Sequence, residues 1–135
     1  MPHKDYPTSY YAATANQTVS RPALADHHQV DVCVIGAGYT GLSTALFLLE
    51  KGFSVSVLEA VKVGFGASGR NGGQIVNSYS RDLDSIERSV SEPAAKLIGE
   101  MAFEGGRIIR DRVARYNIRC DLKDGGVFAA FNKKQ

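Results

Sequence analysis

Apolar and polar positions follow two different repeats along the chain. The run Val30-Asp31-Val32-Cys33-Val34-Ile35 is rich in β-branched residues and stops abruptly at Gly36, which predicts a short buried strand. Leu42, Ala45, Leu46 and Leu49 then fall at i, i+3, i+4 and i+7, with Lys51 and Gly52 behind them. That spacing predicts an amphipathic helix with a glycine stop and a basic last turn. Phe53 to Leu58 alternates and ends in Glu59. Strand, helix and strand together have the length of one βαβ unit, about 30 residues, with parallel strands and a right-handed crossover.

The flanking segments read differently. Residues 1–28 hold Tyr6, Tyr10 and Tyr11 among small and polar residues without sustained periodicity, so an irregular arm is expected there. Gly64, Gly66, Gly69, Gly72 and Gly73 crowd one stretch, which predicts a shaped loop or loop-to-helix junction. Ala94, Leu97, Ile98, Met101, Gly105, Ile108, Ile109, Val113 and Tyr116 keep the helical period behind Ser91-Glu92-Pro93. They predict the longest helix, bent at Gly105-Gly106. Ile118 to Leu122 and Val127 to Phe131 flank Lys123-Asp124-Gly125-Gly126, the signal of a glycine-turn hairpin and of an antiparallel element beginning. The expected division is therefore an arm at 1–28, a βαβ unit with its glycine-rich loop at 29–81, a helical segment at 82–117, and the start of a second, antiparallel domain at 118–135.

Composition narrows the classes. Leu, Ile, Val and Phe make up 34 of 135 residues, above the level of about one-fifth below which chains stay disordered. A net charge of +2 without a block of like charges argues against nucleic-acid binding. The longest apolar run, Ala45 to Leu49, is too short to span a bilayer, and Met1 to Asn16 has no apolar stretch of signal-peptide length, so a soluble cytoplasmic protein without a membrane partner is expected. Cys33 and Cys120 form no CxxC pair and are expected to be unpaired structural thiols. Adjacent His27 and His28 lack a carboxylate or Cys at ligand spacing, so solvated histidines and no metal site are expected.

The chemistry lies in the turn after the first strand. Gly36-Ala37-Gly38-Tyr39-Thr40-Gly41 is G-x-G-x-x-G between a strand and a helix. Gly36 permits the tight turn, Gly38 lets backbone approach a pyrophosphate, Gly41 lets helix pack on strand, and the helix N-terminus offers N–H groups and positive potential. Glu59 follows Gly41 by 18 residues at the end of the second strand, where a carboxylate can accept hydrogen bonds from a ribose diol. No Arg follows Glu59 closely, which argues against NADP and leaves NAD or FAD. The second loop, Gly66-Ala67-Ser68-Gly69-Arg70-Asn71-Gly72-Gly73-Gln74, supplies backbone donors for a cofactor bulkier than NAD and tips the choice to FAD. Arg70 is the fixed charge of that loop, and its solvated reading weighs as much as its cofactor reading.

Val32 to Ser43, Glu59 and Gly64 to Gln74 resemble the FAD-dependent D-amino-acid oxidase-like superfamily, and the second loop with Asn77 to Asp82 narrows the likeness to amine oxidoreductases of putrescine catabolism, a likeness that extends through Ser9 to Ala13, Phe103 to Gly106 and Asp124 to Phe128. The resemblance implies a Rossmann-like FAD-binding α/β fold and an oxidase acting on a small-molecule amine. It implies products of aldehyde, ammonia and hydrogen peroxide, with dioxygen as electron acceptor. It also implies that Gly36, Ala37, Gly38, Tyr39, Thr40 and Gly41 hold the pyrophosphate and Glu59 the adenosine ribose. Ser68, Arg70, Asn71, Gly72, Gly73 and Gln74 would pass near the pyrophosphate and isoalloxazine. Family members are much longer, so the 135 residues are expected to be the N-terminal part of a larger enzyme. Catalytic and substrate-binding residues are then expected beyond Gln135, and cover for Val32, Val34, Val55 and Val57 as well. The competing readings are an NAD-linked dehydrogenase domain and a nucleotide-binding module without turnover.

Overall fold

A computed structural model describes residues 5–16, 19–77, 79, 83–126 and 129. The chain divides into two compact units, Met1–Gly73 and Gln74–Gln135. The first is α/β. Strand β1 (Val32–Ile35) runs parallel to β2 (Val55–Leu58), with Val32 opposite Val55 and Ile35 opposite Leu58. Both strands begin two residues later than the apolar pattern suggests, because Asp31 and Ser54 are engaged in a clasp of their own. The Ser54 backbone N–H and hydroxyl both donate to Asp31 Oδ2, at 2.8 and 2.6 Å, and the Asp31 N–H donates to Ser54 Oγ at 2.9 Å. These bonds hold the Asp31 carboxyl below its ordinary range, the Ser54 hydroxyl contributing most.

Between the strands runs a helix, α2 (Tyr39–Glu50), preceded in the arm by α1 (Tyr10–Thr14). The expected glycine stop of α2 is present in full. Gly52 has φ +89°, its N–H donates to the Leu49 carbonyl at 3.0 Å, and the Phe53 N–H donates to the Leu48 carbonyl at 3.1 Å. This is the paired 5→2 and 6→1 closure of a Schellman motif. Ala45 is buried and Leu42, Leu46 and Leu48 are half-buried, but Leu49, expected inside, is 52% exposed. Two strands about 5 Å apart cover only a narrow strip of a helix. The uncovered positions of β1 are likewise Cys33 and Ile35, the latter 78% exposed. Val32, Val34, Val55 and Val57 are half-buried, and Val34 faces the α2 backbone at Gly41.

The arm differs from the irregular segment expected. Ser9 caps α1 by accepting the Ala12 N–H at 3.2 Å, a local device that needs no periodicity. Five helical residues are too few to display one.

The second unit contains α3 (Leu83–Glu87) and α4 (Glu92–Arg115). Pro93 sits in the first turn of α4, and Arg112 and Arg115 sit in the last, where cations complement the helix dipole. The helix continues through Gly105-Gly106, where a bend was expected. Its covered face carries Ala95, Ile98, Ala102, Gly106 and Val113, whereas Leu97 and Met101 are each 58% exposed. The covered line is shifted because small residues admit close neighbours. A Cβ on Gly106 would stand 2.7 Å from Asn77 Oδ1, and the Tyr79 hydroxyl donates to the Ile98 carbonyl at 2.7 Å. Asn117, at φ +49°, ends α4 with a second Schellman closure through its own N–H and that of Ile118. No strand occurs at 118–126, where the first arm of the hairpin was expected. The second arm, Val127 to Phe131, lies outside the described residues except for Ala129. Cys33 and Cys120 are free and exposed. No helix among the described residues is long and apolar enough to cross a membrane.

Gly41 is where α2 comes closest to the strand turn, since a Cβ there would overlap the Gly36 carbonyl and press Val34 Cγ1 at 3.3 Å. Backbone cannot rotate away as a side chain can. Gly41→Ala is expected to destabilise the fold by about 1–3 kcal/mol, the usual cost of overpacking. Urea denaturation checks this, and an unchanged midpoint would contradict the packing.

Candidate functional site

The turn from β1 into α2 is built around Ala37, which is 1% exposed. The Gly36 N–H donates to the Leu58 carbonyl at 2.7 Å, and Gly36 then takes φ +100°, a conformation that favours glycine. The Ala37 N–H donates to Glu59 Oε2 at 2.8 Å, and the Ala37 carbonyl accepts the Gly64 N–H at 2.9 Å. Glu59 Oε1 accepts the Val61 N–H at 3.0 Å. The bond from Ala37, and after it that from Val61, hold the Glu59 carboxyl below its ordinary value of 4.5. A carboxylate offers about four lone-pair positions, so these bonds leave acceptor capacity on an exposed edge. This tie between Glu59 and the glycine turn was not readable from the sequence, where only the spacing to Gly41 marked the residue.

The second loop is joined to the start of α2. Ser68, in a short 3₁₀ turn (Ala67–Gly69), accepts the Tyr39 N–H on its hydroxyl at 2.9 Å. The Leu42 N–H donates to the Gly38 carbonyl at 2.9 Å. Between them, the N–H groups of Thr40 and Gly41 meet no acceptor among the described residues. Gly38 has no side-chain cap, and a Cβ there would stand 2.9 Å from Ser68 Oγ, in the space between loop and helix. Asn71 Nδ2 donates to the Tyr39 hydroxyl and to the Ser68 carbonyl, each at 2.9 Å, while Asn71 Oδ1 accepts the Gly73 N–H at 2.8 Å. Arg70 turns back on its own loop, Nε donating to the Gly66 carbonyl at 3.1 Å. Gly72 is exposed, and Gly73 holds φ +74°.

Eleven of the thirteen sequence-selected residues, Gly36 to Gly41, Glu59, Ser68, Arg70, Asn71 and Gly73, are thus tied into the turn or into the adjoining loop. Gly72 is carried between them, and Gln74 begins the second unit. The helix N-terminus, its two open N–H groups and a cradle that any Cβ at Gly38 would enter fit an anionic, phosphate-bearing group. The N-terminal arm adds residues that the sequence pattern did not single out. The Tyr6 hydroxyl donates to the Val63 carbonyl at 3.0 Å, its ring lies 6.5 Å from that of Phe65, and Lys62 Nζ stands 5.0 Å from the ring centre. A cavity of about 280 Å³ separates the arm from the loop.

Residues 31–135 match the family described as FAD dependent oxidoreductase, DAO. The chain is 57% identical over 131 residues to the gamma-glutamylputrescine oxidoreductase of Escherichia coli strain K12, covering 97% of this chain and 31% of that protein. It is 43% identical over 133 residues to the probable oxidoreductase OrdL of Haemophilus influenzae, covering 98% and 31%. A probable oxidoreductase OrdL of Rhizobium meliloti is 35% identical over 117 residues, covering 87% and 27%. The chain therefore spans less than a third of the length of these three relatives. No solved structure gives a significant match.

The bonds to Glu59 give it a pH signature. A carboxyl held low in the folded protein stabilises the fold above its unfolded value, near 4.5, and the gain is lost as pH falls through the lower folded value. Glu59→Gln is expected to lower the thermal midpoint at pH 7, and the gap from the unsubstituted protein should narrow as pH falls below 4.5 and close once pH has passed the lower folded value, where both side chains are neutral. Thermal unfolding across pH 7 to 3 checks this. A constant gap would mean that the charge of Glu59 contributes nothing.

Proposed function

The chain belongs to the FAD dependent oxidoreductase (DAO) family, and from that premise we propose that it forms the FAD-binding part of an amine oxidoreductase. The proposed substrate is gamma-glutamylputrescine or a related amine. The reaction consumes the amine, dioxygen and water and yields an aldehyde, ammonia and hydrogen peroxide. The observation that carries this reading is the 57% identity to gamma-glutamylputrescine oxidoreductase over nearly the whole chain, with the glycine cradle of the first unit as its physical counterpart.

Each residue of the cradle has a definite task in this proposal. The Thr40 and Gly41 N–H groups, at the positive end of α2, hold the pyrophosphate of FAD. Gly38 keeps the backbone open to it. Glu59 accepts the ribose hydroxyls on its remaining lone pairs while the bonds from Ala37 and Val61 fix its orientation. Ser68, Arg70, Asn71, Gly72, Gly73 and Gln74 line the path towards the flavin ring. When bound, FAD supplies a two-electron acceptor for the C–H bond beside the amine nitrogen, and the chain's role is to bind and orient it. Base and substrate-binding groups are not assigned to this chain.

A substitution separates cofactor binding from folding. At Gly38 the atom facing a new side chain is the rotatable Ser68 hydroxyl, not backbone. In a protein of the relatives' full length, Gly38→Val is thus expected to unfold cooperatively yet purify without flavin absorbance, while the unsubstituted full-length protein carries stoichiometric FAD and releases peroxide with gamma-glutamylputrescine; the 135 residues alone are expected to release none. Stoichiometric flavin in Gly38→Val would refute the pyrophosphate assignment. Absence of amine-dependent peroxide from the flavin-loaded full-length protein would refute the reaction.

A further inference from the structure

The second loop is poorly equipped to hold its own shape. From Gly64 to Gly73 it contains five glycines and Phe65 as its one large apolar residue, and glycine loses more conformational freedom on ordering than any other residue. Its internal bonds through Arg70 and Asn71 are supplemented from outside. Ala37 and Tyr39 hold Gly64, Ser68 and Asn71 from the turn and α2, and the arm adds contacts at both ends of the loop. At the start, Tyr6 binds the Val63 carbonyl and sets its ring beside Phe65, under the Lys62 ammonium, which also reaches Asp5 at 3.5 Å. At the finish, the Tyr11 hydroxyl lies so close over Gly73 that a Cβ there would overlap it. The space between the two anchors is floored by Gly64, Ser68 and Gly69.

We infer that Tyr6 and Tyr11 are positioning residues for the cofactor, acting as a two-point strap that holds the glycine-rich loop in its FAD-binding shape. The inference rests on the FAD reading given above. Neither tyrosine is required to touch the cofactor. A loop ordered in advance spares the binding step the entropy of ordering it, so affinity rises without a new contact to the ligand. Tyr10 is the natural control, since it shares α1 with Tyr11 but is 73% exposed.

The experiment uses the whole flavin-loaded protein and its apoprotein, with Tyr6→Phe, Tyr11→Phe, the double variant and Tyr10→Phe. Flavin fluorescence titration gives the FAD dissociation constant, and visible circular dichroism reports the asymmetry around the bound ring. Tyr6→Phe is expected to raise the dissociation constant about fivefold, the size of one neutral hydrogen bond, and Tyr11→Phe, which removes the hydroxyl packed over Gly73, about twofold or more. The double variant is expected to exceed tenfold and to alter the visible dichroism, with Tyr10→Phe unchanged in both. Unchanged affinity and dichroism in the double variant would overturn the strap, even if its thermal stability fell. An unsubstituted protein that binds no FAD would overturn the underlying reading as well, which separates the two failures.

Discussion

The backbone of Ala37 must be satisfied away from water, and the first unit is organised around that requirement. At 1% exposure, an unpartnered N–H or carbonyl there would cost about 1–3 kcal/mol. The N–H is met by the carboxylate at the end of β2 and the carbonyl by the backbone at the start of the glycine-rich loop. One residue thereby links the first strand's turn, the second strand's end and the loop beyond. Glu59 has two demands upon it in consequence: it supports the turn, and in the proposed function it also receives a ribose. A substitution that spares only one of these tasks cannot leave the other untouched.

The second loop repeats this economy on the other side of the helix terminus. Ser68 occupies the first N–H of α2 and Asn71 the phenol of the same residue, Tyr39, so backbone and side chain of one position are both held from the loop. The N–H groups left open follow directly behind. The positive end of α2 is narrowed to two donors rather than removed, and in the proposed function those two donors receive the pyrophosphate.

Much of the first unit was legible because its signals are local. The β-branched run ending at Gly36, the i, i+3, i+4 spacing of α2 and the Gly52 stop each depend on a few consecutive residues, and each appears in the structure. Glu59 was found by spacing, but its partner was not, since Ala37 has no side chain to advertise a hydrogen bond. Tyr6 and Tyr11 were unreadable as contacts because they act at separations of some sixty residues across a segment without period. On α4 the periodicity placed the helix correctly and the face less well. Large apolar residues drew attention to Leu97 and Met101, whereas the covered line is set by the small Ala95, Ala102 and Gly106, which earn their place by what they leave out. The hairpin signal rested on the glycine turn and two short flanking runs, and its first arm, at 118–122, forms no strand because a run broken by Arg119 and Asp121 is held by turn chemistry alone.

The Asp31–Ser54 clasp lies at the opposite end of the strands from Glu59, yet it decides where Glu59 falls. Two parallel strands of four residues each could pair in several offsets, and a one-residue slip moves every later position by about 3.3 Å and turns it to the other face of the sheet. Three hydrogen bonds between Asp31 and Ser54 admit one offset. That offset brings Leu58 opposite Ile35 and delivers the next residue to the glycine turn. The polar pair at the open end of the sheet is in effect the zero mark of a short ruler, and the reach of the carboxylate to Ala37 is read off its far end.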